Sequence, residues 1–367
     1  MDVKLNKICY IFSHLPQGGT ERQFLNLIKG LDFDIFEVTL VLYLKNEVFY
    51  NEVKDLPIKI LYKSNYYQNK YINHISTIFF LKKILTYESF DILHTALFHN
   101  GFFVRLFMPK KYNNKIIYSL RNNLQHFNNY ELFFEKILFK KTIVIANSIL
   151  AMKQFNNKIG LKSVNKASYI YNGIDTSKFN LKEAVINKII KIGSVGRQVS
   201  QKNHMQILRV LNSKEILKKF NFYLIGSEGD KTDEINDYIH KNNLLDKFFN
   251  LGVQENIESY YNDFDVFVLS SLYEGCPNVL FEAMLSKCIC IVSSQANSDN
   301  FIVDGVKGLI YDGTDDMLRK KINEAVRILD SNMSYDMIAS AEDYVKNNFS
   351  NKLMIKKYEN LYKQLMR

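Results

Sequence analysis

Two glutamates, Glu274 and Glu282, flank a Gly-Cys-Pro-Asn turn in SSLYEGCPNVLFEAM (270–284). An ionised carboxylate only accepts hydrogen bonds, so such a pair suits the donor hydroxyls of a sugar or a ribose. Hydrolysis by an opposed acid/base pair does not fit. Retaining glycosidases hold their carboxyl groups about 5–5.5 Å apart, whereas a helical stretch of this length rises by about 12 Å. Pro277 suits a first helical position, where its missing N–H costs nothing. The N–H groups of Asn278, Val279 and Leu280 are then expected to point out of a helix N-terminus, where an anion is favoured.

Cations stand upstream. GSVGRQVSQKNHMQIL (193–208) places Arg197 and Lys202 at a strand-to-helix junction. Two cations at a strand end would neutralise a diphosphate through charge-assisted bonds of about 1.5–3 kcal/mol each; the plain alternative is a pair of solvated charges. His204 beside them reads as structural. SHLPQGGTERQFLNL (13–27) is a further junction. There, Gly18 and Gly19 either bare backbone N–H groups for an anion or simply make a tight turn. Asp263 and Asp265 form an Asp-x-Asp of the kind that holds metals. They lead into a buried strand and read as structural, so no metal site is expected.

These residues need strands that end in one place. Strand-like runs occur at 7–14, 36–44, 58–63, 90–95, 115–120 and 142–147, and again at 188–197, 220–227, 248–253, 265–271, 288–294 and 307–312, with helical periods between. The pattern predicts two α/β layers of parallel strands, with ligands at the carboxyl ends. A length of 367 residues and an apolar content of 47% agree with two well-filled domains. We place them at 1–180 and 181–350, with a polar junction at 171–188. The segment 351–367 has an apolar stripe at Leu353, Met354, Tyr358, Leu361, Tyr362 and Leu365 and reads as a helix that needs a surface to cover.

Four cysteines without CxxC spacing suggest a reducing, cytoplasmic compartment. The short apolar run at the N-terminus does not make a secretory signal, and no run reaches the 18 or so residues of a spanning helix. Charge is uneven. Residues 1–180 hold 24 Lys+Arg against 13 Asp+Glu, while the rest is nearly balanced. STIFFLKKILTY (76–87), GFFVRLFMPKKY (101–112) and LFFEKILFKK (132–141) mix aromatics with lysines. Helices lying on an anionic membrane read this way, and so do ordinary helices whose lysines snorkel from a buried side. No nucleic-acid motif accompanies the charge, and no G-x-G-x-x-G follows the first strand, which argues against a dinucleotide oxidoreductase.

Taken together, the stretches resemble the GT-B, family 4 type of retaining glycosyltransferase (glycosyl transferases group 1). SSLYEGCPNVLFEAM is similar to its S-x-x-E-G-x-P-x-x-x-x-E-A-M signature, and VGRQVSQKNHMQIL to its V-G-R…K segment. YNGID (171–175), QGGTERQFLNLI (17–28) and IVDGVKGLIY (302–311) follow in the family's order, with Lys307 where Asn is usual and Cys276 where Phe is frequent. DILHTALFHNGFFVRL (91–106) and YSLRNN (118–123) resemble the subgroup that makes bacterial surface polysaccharides. The resemblance implies two facing Rossmann-like, doubly wound α/β domains with an interdomain cleft, and a last helix crossing back to the first domain. It also implies a metal-independent enzyme with no cofactor, taking a hexose or N-acetylhexosamine from a nucleotide sugar, with UDP the commonest nucleotide. The acceptor would be lipid-linked or a polysaccharide, and the place of action the inner face of the cell membrane. By the same resemblance, Arg197, Lys202, Gly18 and Gly19 bind the diphosphate and Glu282 holds the ribose. Glu274 contacts the hexose with the backbone of Gly275, Cys276, Pro277 and Asn278, and His99 lies near the transferred sugar, with His94 competing for that place. The alternatives on this frame are a nucleotide-sugar epimerase or phosphorylase, or a non-catalytic sugar-nucleotide-binding subunit.

Overall fold

Alternating β-branched and helical periods give the described residues thirteen parallel strands and the helices between them. The structure, a computed structural model, describes residues 5–13, 18–44, 50–107, 109–121, 128–160, 167–179, 189–213, 219–331 and 333–366. In chain order the first stretch has β1 (Asn6–Phe12), α1 (Gly19–Gly30), β2 (Phe36–Leu42), α2 (Tyr50–Val53), β3 (Lys59–Tyr62), α3 (Lys70–Tyr87) and β4 (Ile92–Ala96). It continues with α4 (Phe98–Phe107), β5 (Ile116–Leu120), α5 (Asn129–Leu138), β6 (Thr142–Ala146), α6 (Ile149–Ile159) and β7 (Ser168–Tyr169). Then follow β8 (Ile190–Val195), α7 (His204–Leu211), β9 (Phe220–Ile225), α8 (Thr232–Lys241), β10 (Phe248–Asn250), α9 (Ile257–Asp263), β11 (Val266–Leu269) and α10 (Asn278–Leu285). The chain ends with β12 (Ile289–Ser293), β13 (Leu309–Tyr311), α11 (Asp315–Leu329), α12 (Met333–Phe349) and α13 (Asn351–Leu365).

The chain forms two units, Met1–Gly173 with Asn351–Arg367, and Ile174–Ser350. The first break thus precedes residue 180, and the terminal helix belongs to the first unit. The first sheet has the order β3-β2-β1-β4-β5-β6-β7 and the second β10-β9-β8-β11-β12-β13. Both are doubly wound, and both reverse direction at one point, between β1 and β4 and between β8 and β11. That switch is where α/β sheets open a crevice at their carboxyl edge.

In the first unit α1 and α13 cover one sheet face, with Phe24, Leu25, Met354, Tyr358 and Tyr362 against Ile8, Tyr10, Ile92 and Ile117. The other face carries α3 and α4, whose Leu81, Leu85 and Val104 meet Cys9, Ile11, Leu93 and Ile116, and then α5 and α6 over Tyr118 and Val144. Two polar devices tie these layers together. On the α13 side, the Tyr362 hydroxyl lies 2.8 Å from that of Tyr10 and 2.7 Å from His94 Nδ1, while His94 Nε2 lies 2.8 Å from Ser119 Oγ. On the other side, Arg105 clamps Glu135 with two bonds, Nη1 to Oε2 at 2.7 Å and Nη2 to Oε1 at 2.5 Å, and both side chains are fully buried. The Arg105 guanidinium lies 3.8 Å from the Tyr118 ring centre, and its Nε donates to the Gly101 carbonyl.

His94 is thereby removed from the contest with His99. It sits inside β4, fully buried, with both ring nitrogens engaged, and burial with the nearby Arg121 charge holds its pKa well below the usual histidine range. It is a core histidine, neutral at physiological pH.

Candidate functional site

In the second unit the loops after β8 and β11 flank the switch point, and they are the loops that carry the charged residues. β8 ends at Val195, and Gly196, Arg197 and a 3₁₀ turn over Ser200–Lys202 lead into α7. β11 is a fully buried Val-Phe-Val-Leu run, and 270–277 lead from it into α10. The two loops are laced together. Ser270 Oγ donates to the carbonyls of Lys202 (2.9 Å) and Asn203 (3.1 Å), Leu272 N–H to the Gln201 carbonyl, and Gln201 Nε2 to the Tyr273 carbonyl. Asn203 takes the left-handed conformation (φ 53°, ψ 36°) that turns the chain into α7; Asn tolerates it better than most residues.

This lacing brings Lys202 to Glu274, with Nζ 2.6 Å from Oε1 and side-chain exposures of 18% and 9%. The sequence assigned these residues separate ligand groups, yet the fold makes them one ion pair. An ammonium has three donors; one held by Glu274 leaves two for an incoming anion. The Lys202 stem runs beside Gly196, where a β-carbon would lie 3.3 Å from Cδ and Cε. Gly196 is pressed in turn against Gly226, whose β-carbon would fall 2.0 Å from the Gly196 carbonyl oxygen. Arg197 is exposed beside this pair, and no ion pair involves it among the described residues. His204 is buried beneath, with Nδ1 3.2 Å from Ser194 Oγ. Burial and the Lys202 charge lower its pKa to about 4, so it is neutral and structural.

Glu282 answers to a different partner. It is half-buried on α10 and accepts a 2.9 Å hydrogen bond from the hydroxyl of Tyr261, a buried residue of α9. Desolvation pushes its pKa up to about 7, the Tyr261 bond pulls it down, and the Glu258 charge adds to the rise. Gly275 and Cys276 are half-buried, Pro277 is buried, and Ser298 Oγ donates to the Glu274 carbonyl.

The start of α10 departs from expectation. Pro277 is the cap (φ −81°, ψ 87°), one residue before the helix, and its carbonyl accepts the Leu280 N–H at 3.0 Å. The N–H of Leu280 is therefore not offered to a ligand, and its side chain is buried. Asn278 and Val279 form the first helical positions. The sequence does not single out Tyr261, Gln201, Ser270 or Ser298. Each acts across a long sequence separation, and no local pattern marks it.

In the first unit Gly18 caps α1 and Gly19 opens it. A β-carbon on Gly18 would meet Glu21 Oε2 at 2.5 Å, so the Glu21 carboxylate already lies against this helix end. An anion approaching Gly18 and Gly19 shares the positive end of α1 with it. His99 belongs to α4, directly after β4; its side chain lies outside the described residues. The Asp-x-Asp pair lies at the opposite, amino edge of the second sheet. Asp265 accepts the Lys191 N–H at 2.9 Å, and Asp263 accepts from Lys191 Nζ at 3.0 Å.

Two family models match the chain, Glycosyltransferase Family 4 over residues 17–178 and Glycosyl transferases group 1 over residues 177–344. A Campylobacter jejuni N-acetylgalactosamine-N,N'-diacetylbacillosaminyl-diphospho-undecaprenol 4-alpha-N-acetylgalactosaminyltransferase is 24% identical, over 92% of this chain and 97% of that protein. A glycosyltransferase from Rickettsia africae has the same fold, with a TM-score of 0.83 at 19% identity and full coverage of both chains. So does Anabaena HepE, solved with UDP and glucose, with a TM-score of 0.79 at 16% identity over 98% of this chain and 100% of that one. With both halves matched in order on two doubly wound sheets, the chain belongs to glycosyltransferase family 4, with the GT-B fold, and is a glycosyltransferase.

Proposed function

We propose that the enzyme is a retaining, metal-independent transferase that moves a hexose or N-acetylhexosamine from a UDP-sugar to a lipid-linked or polysaccharide acceptor. Its setting is bacterial surface-glycan synthesis at the inner face of the cell membrane. The observation that carries this is the switch-point cluster of the second sheet, where Arg197, the Lys202–Glu274 pair and the Glu282–Tyr261 pair are held by two interlaced loops. The acceptor class is supported by the C. jejuni relative, named for transfer onto a diphospho-undecaprenol-linked sugar, and the nucleotide by the UDP held in Anabaena HepE.

In this reading Arg197 and the two spare donors of Lys202 meet the diphosphate. Glu274 accepts from the hexose while steadying Lys202, with the backbone of Gly275 to Asn278 beside it. Glu282 accepts from the ribose hydroxyls, and its orientation is set by Tyr261. From the first unit, the resemblance assigns Gly18 and Gly19 to the diphosphate and His99 to the transferred sugar. The bond from the anomeric carbon to the diphosphate oxygen breaks. The acceptor hydroxyl adds on the same face, and its proton passes to the departing phosphate. Fixed cations absorb the developing charge, and one such contact is worth about 10²–10³ in rate.

A thermal-shift panel of UDP, GDP, ADP and their sugars tests the donor through binding linkage. UDP ligands are expected to give the largest shift. Product analysis with a lipid diphosphate sugar acceptor tests the reaction; an inverted linkage, or free sugar released at the same rate without acceptor, defeats the proposal.

A further inference from the structure

The layer formed by α3, α4 and α5 has an outer face that the other described residues of the first unit do not cover. On α3, Leu81 and Leu85 point into the core, while Tyr71, Ile75 and Phe79 follow one another at helical spacing on the outside, Phe79 69% exposed. On α5, Tyr130, Phe133 and Ile137 do the same, Phe133 58% exposed, while Leu138 is buried. Both exposed phenylalanines among the described residues lie on this layer. Between the two stripes the aromatic packing is continuous, running from His74 to Phe103 (5.3 Å between ring centres), Phe102 and Phe134. Helices whose lysines snorkel from a buried apolar side would hide these side chains. They are in the open instead, and clustered apolar exposure marks an interaction surface.

Charge names the partner. Lys82, Lys83, Lys136, Lys140 and Lys141 are exposed around the stripes, and none forms an ion pair among the described residues. α3 has no acidic residue, and both glutamates of α5 are engaged, Glu131 in the capping box with Asn128 and Glu135 with Arg105. A second copy of the same basic face would be repelled. A sheet of anionic headgroups over hydrocarbon satisfies both the lysines and the rings. Among the described residues no helix is long and apolar enough to cross a membrane, so the contact is interfacial.

We propose that the outer face of α3, α4 and α5 docks this enzyme on a bilayer rich in anionic phospholipid, with Phe79 and Phe133 among the headgroups and the lysines against lipid phosphates. The inference rests on the reading of a membrane-borne acceptor and assigns it a docking face.

Sedimentation of the full chain with phosphatidylglycerol-containing vesicles, against pure phosphatidylcholine, tests it. Wild type is expected to partition at least ~10-fold more strongly to the anionic vesicles and to lose that preference in high salt. Phe79→Ser/Phe133→Ser and, independently, Lys136→Glu/Lys140→Glu are expected to lower partitioning ~10-fold while the UDP thermal shift and the melting temperature stay as in wild type. Equal binding of wild type to neutral vesicles overturns the proposal. So does undiminished binding of both variants, or a dimer in sedimentation velocity that the variants abolish. If docking behaves as stated while wild type transfers no sugar to a lipid diphosphate acceptor, the acceptor reading fails and the docking face stands.

Discussion

Among the described residues two ion pairs are shielded from water, and they are built differently. Arg105–Glu135 in the first unit is closed. The guanidinium spends both Nη groups on the carboxylate and its Nε on a carbonyl, a tyrosine ring covers its face, and neither side chain is exposed. Lys202–Glu274 in the second unit is open. One ammonium proton is committed, the pair keeps 18% and 9% exposure, and it stands at a sheet switch point. Arginine's planar fork saturates a carboxylate, whereas lysine's point charge leaves donors over. The first pair therefore ties α4 to α5, and the second keeps the spare ammonium donors that the proposed donor site requires.

The largest expected effect comes from breaking the closed pair. Glu135→Ala strands a buried guanidinium and is expected to cost about 3–5 kcal/mol of stability by denaturant titration, while the second unit still binds nucleotide. A loss below 1 kcal/mol would mean that the pair is not structural. Next, Lys202→Ala is expected to lower kcat at saturating donor by about 10²–10³ in steady-state assays. Unchanged turnover would remove the leaving-group role and with it the contrast between the pairs.

A smaller effect is set by pH. The Glu282 pKa of about 7 lies above the ordinary 4.5, so the folded protein holds a proton that the unfolded chain releases. Its contribution to stability is full below about 4.5 and is lost as pH rises through about 7. Glu282→Gln is expected to flatten that fall in apo-protein melts, and Tyr261→Phe to shift it to higher pH. In wild type, nucleotide affinity by calorimetry is expected to rise through pH 7 as the carboxylate forms; a flat profile would detach Glu282 from the ribose. Smallest of all, EDTA is expected to leave the rate unchanged. A divalent-ion requirement would mean that Arg197 and Lys202 are not the only charges on the leaving group.

Much of the frame is legible in the sequence because strands and helices announce themselves locally. The run DVFVLSS predicted β11, and KIIKIGSVGR predicted β8, within two or three residues. β7, only Ser168–Tyr169, has too few residues to show a period. The helix α10 starts one residue later than its sequence predicts, because proline is comfortable both as a cap and at the first helical position, and only the hydrogen bonding of its carbonyl separates the two.

What the sequence determined by itself was the succession of βα units and which charged residues follow which strand, since both depend on neighbours within a few positions. The tertiary structure alone decided that Lys202 meets Glu274, 72 residues on, and that Tyr261 orients Glu282. It also sank His94 between Tyr362 and Ser119 and left the apolar stripe of α3 in the open. Pairing, burial and exposure belong to the packed chain, because each is set by residues that become neighbours only when the sheets close.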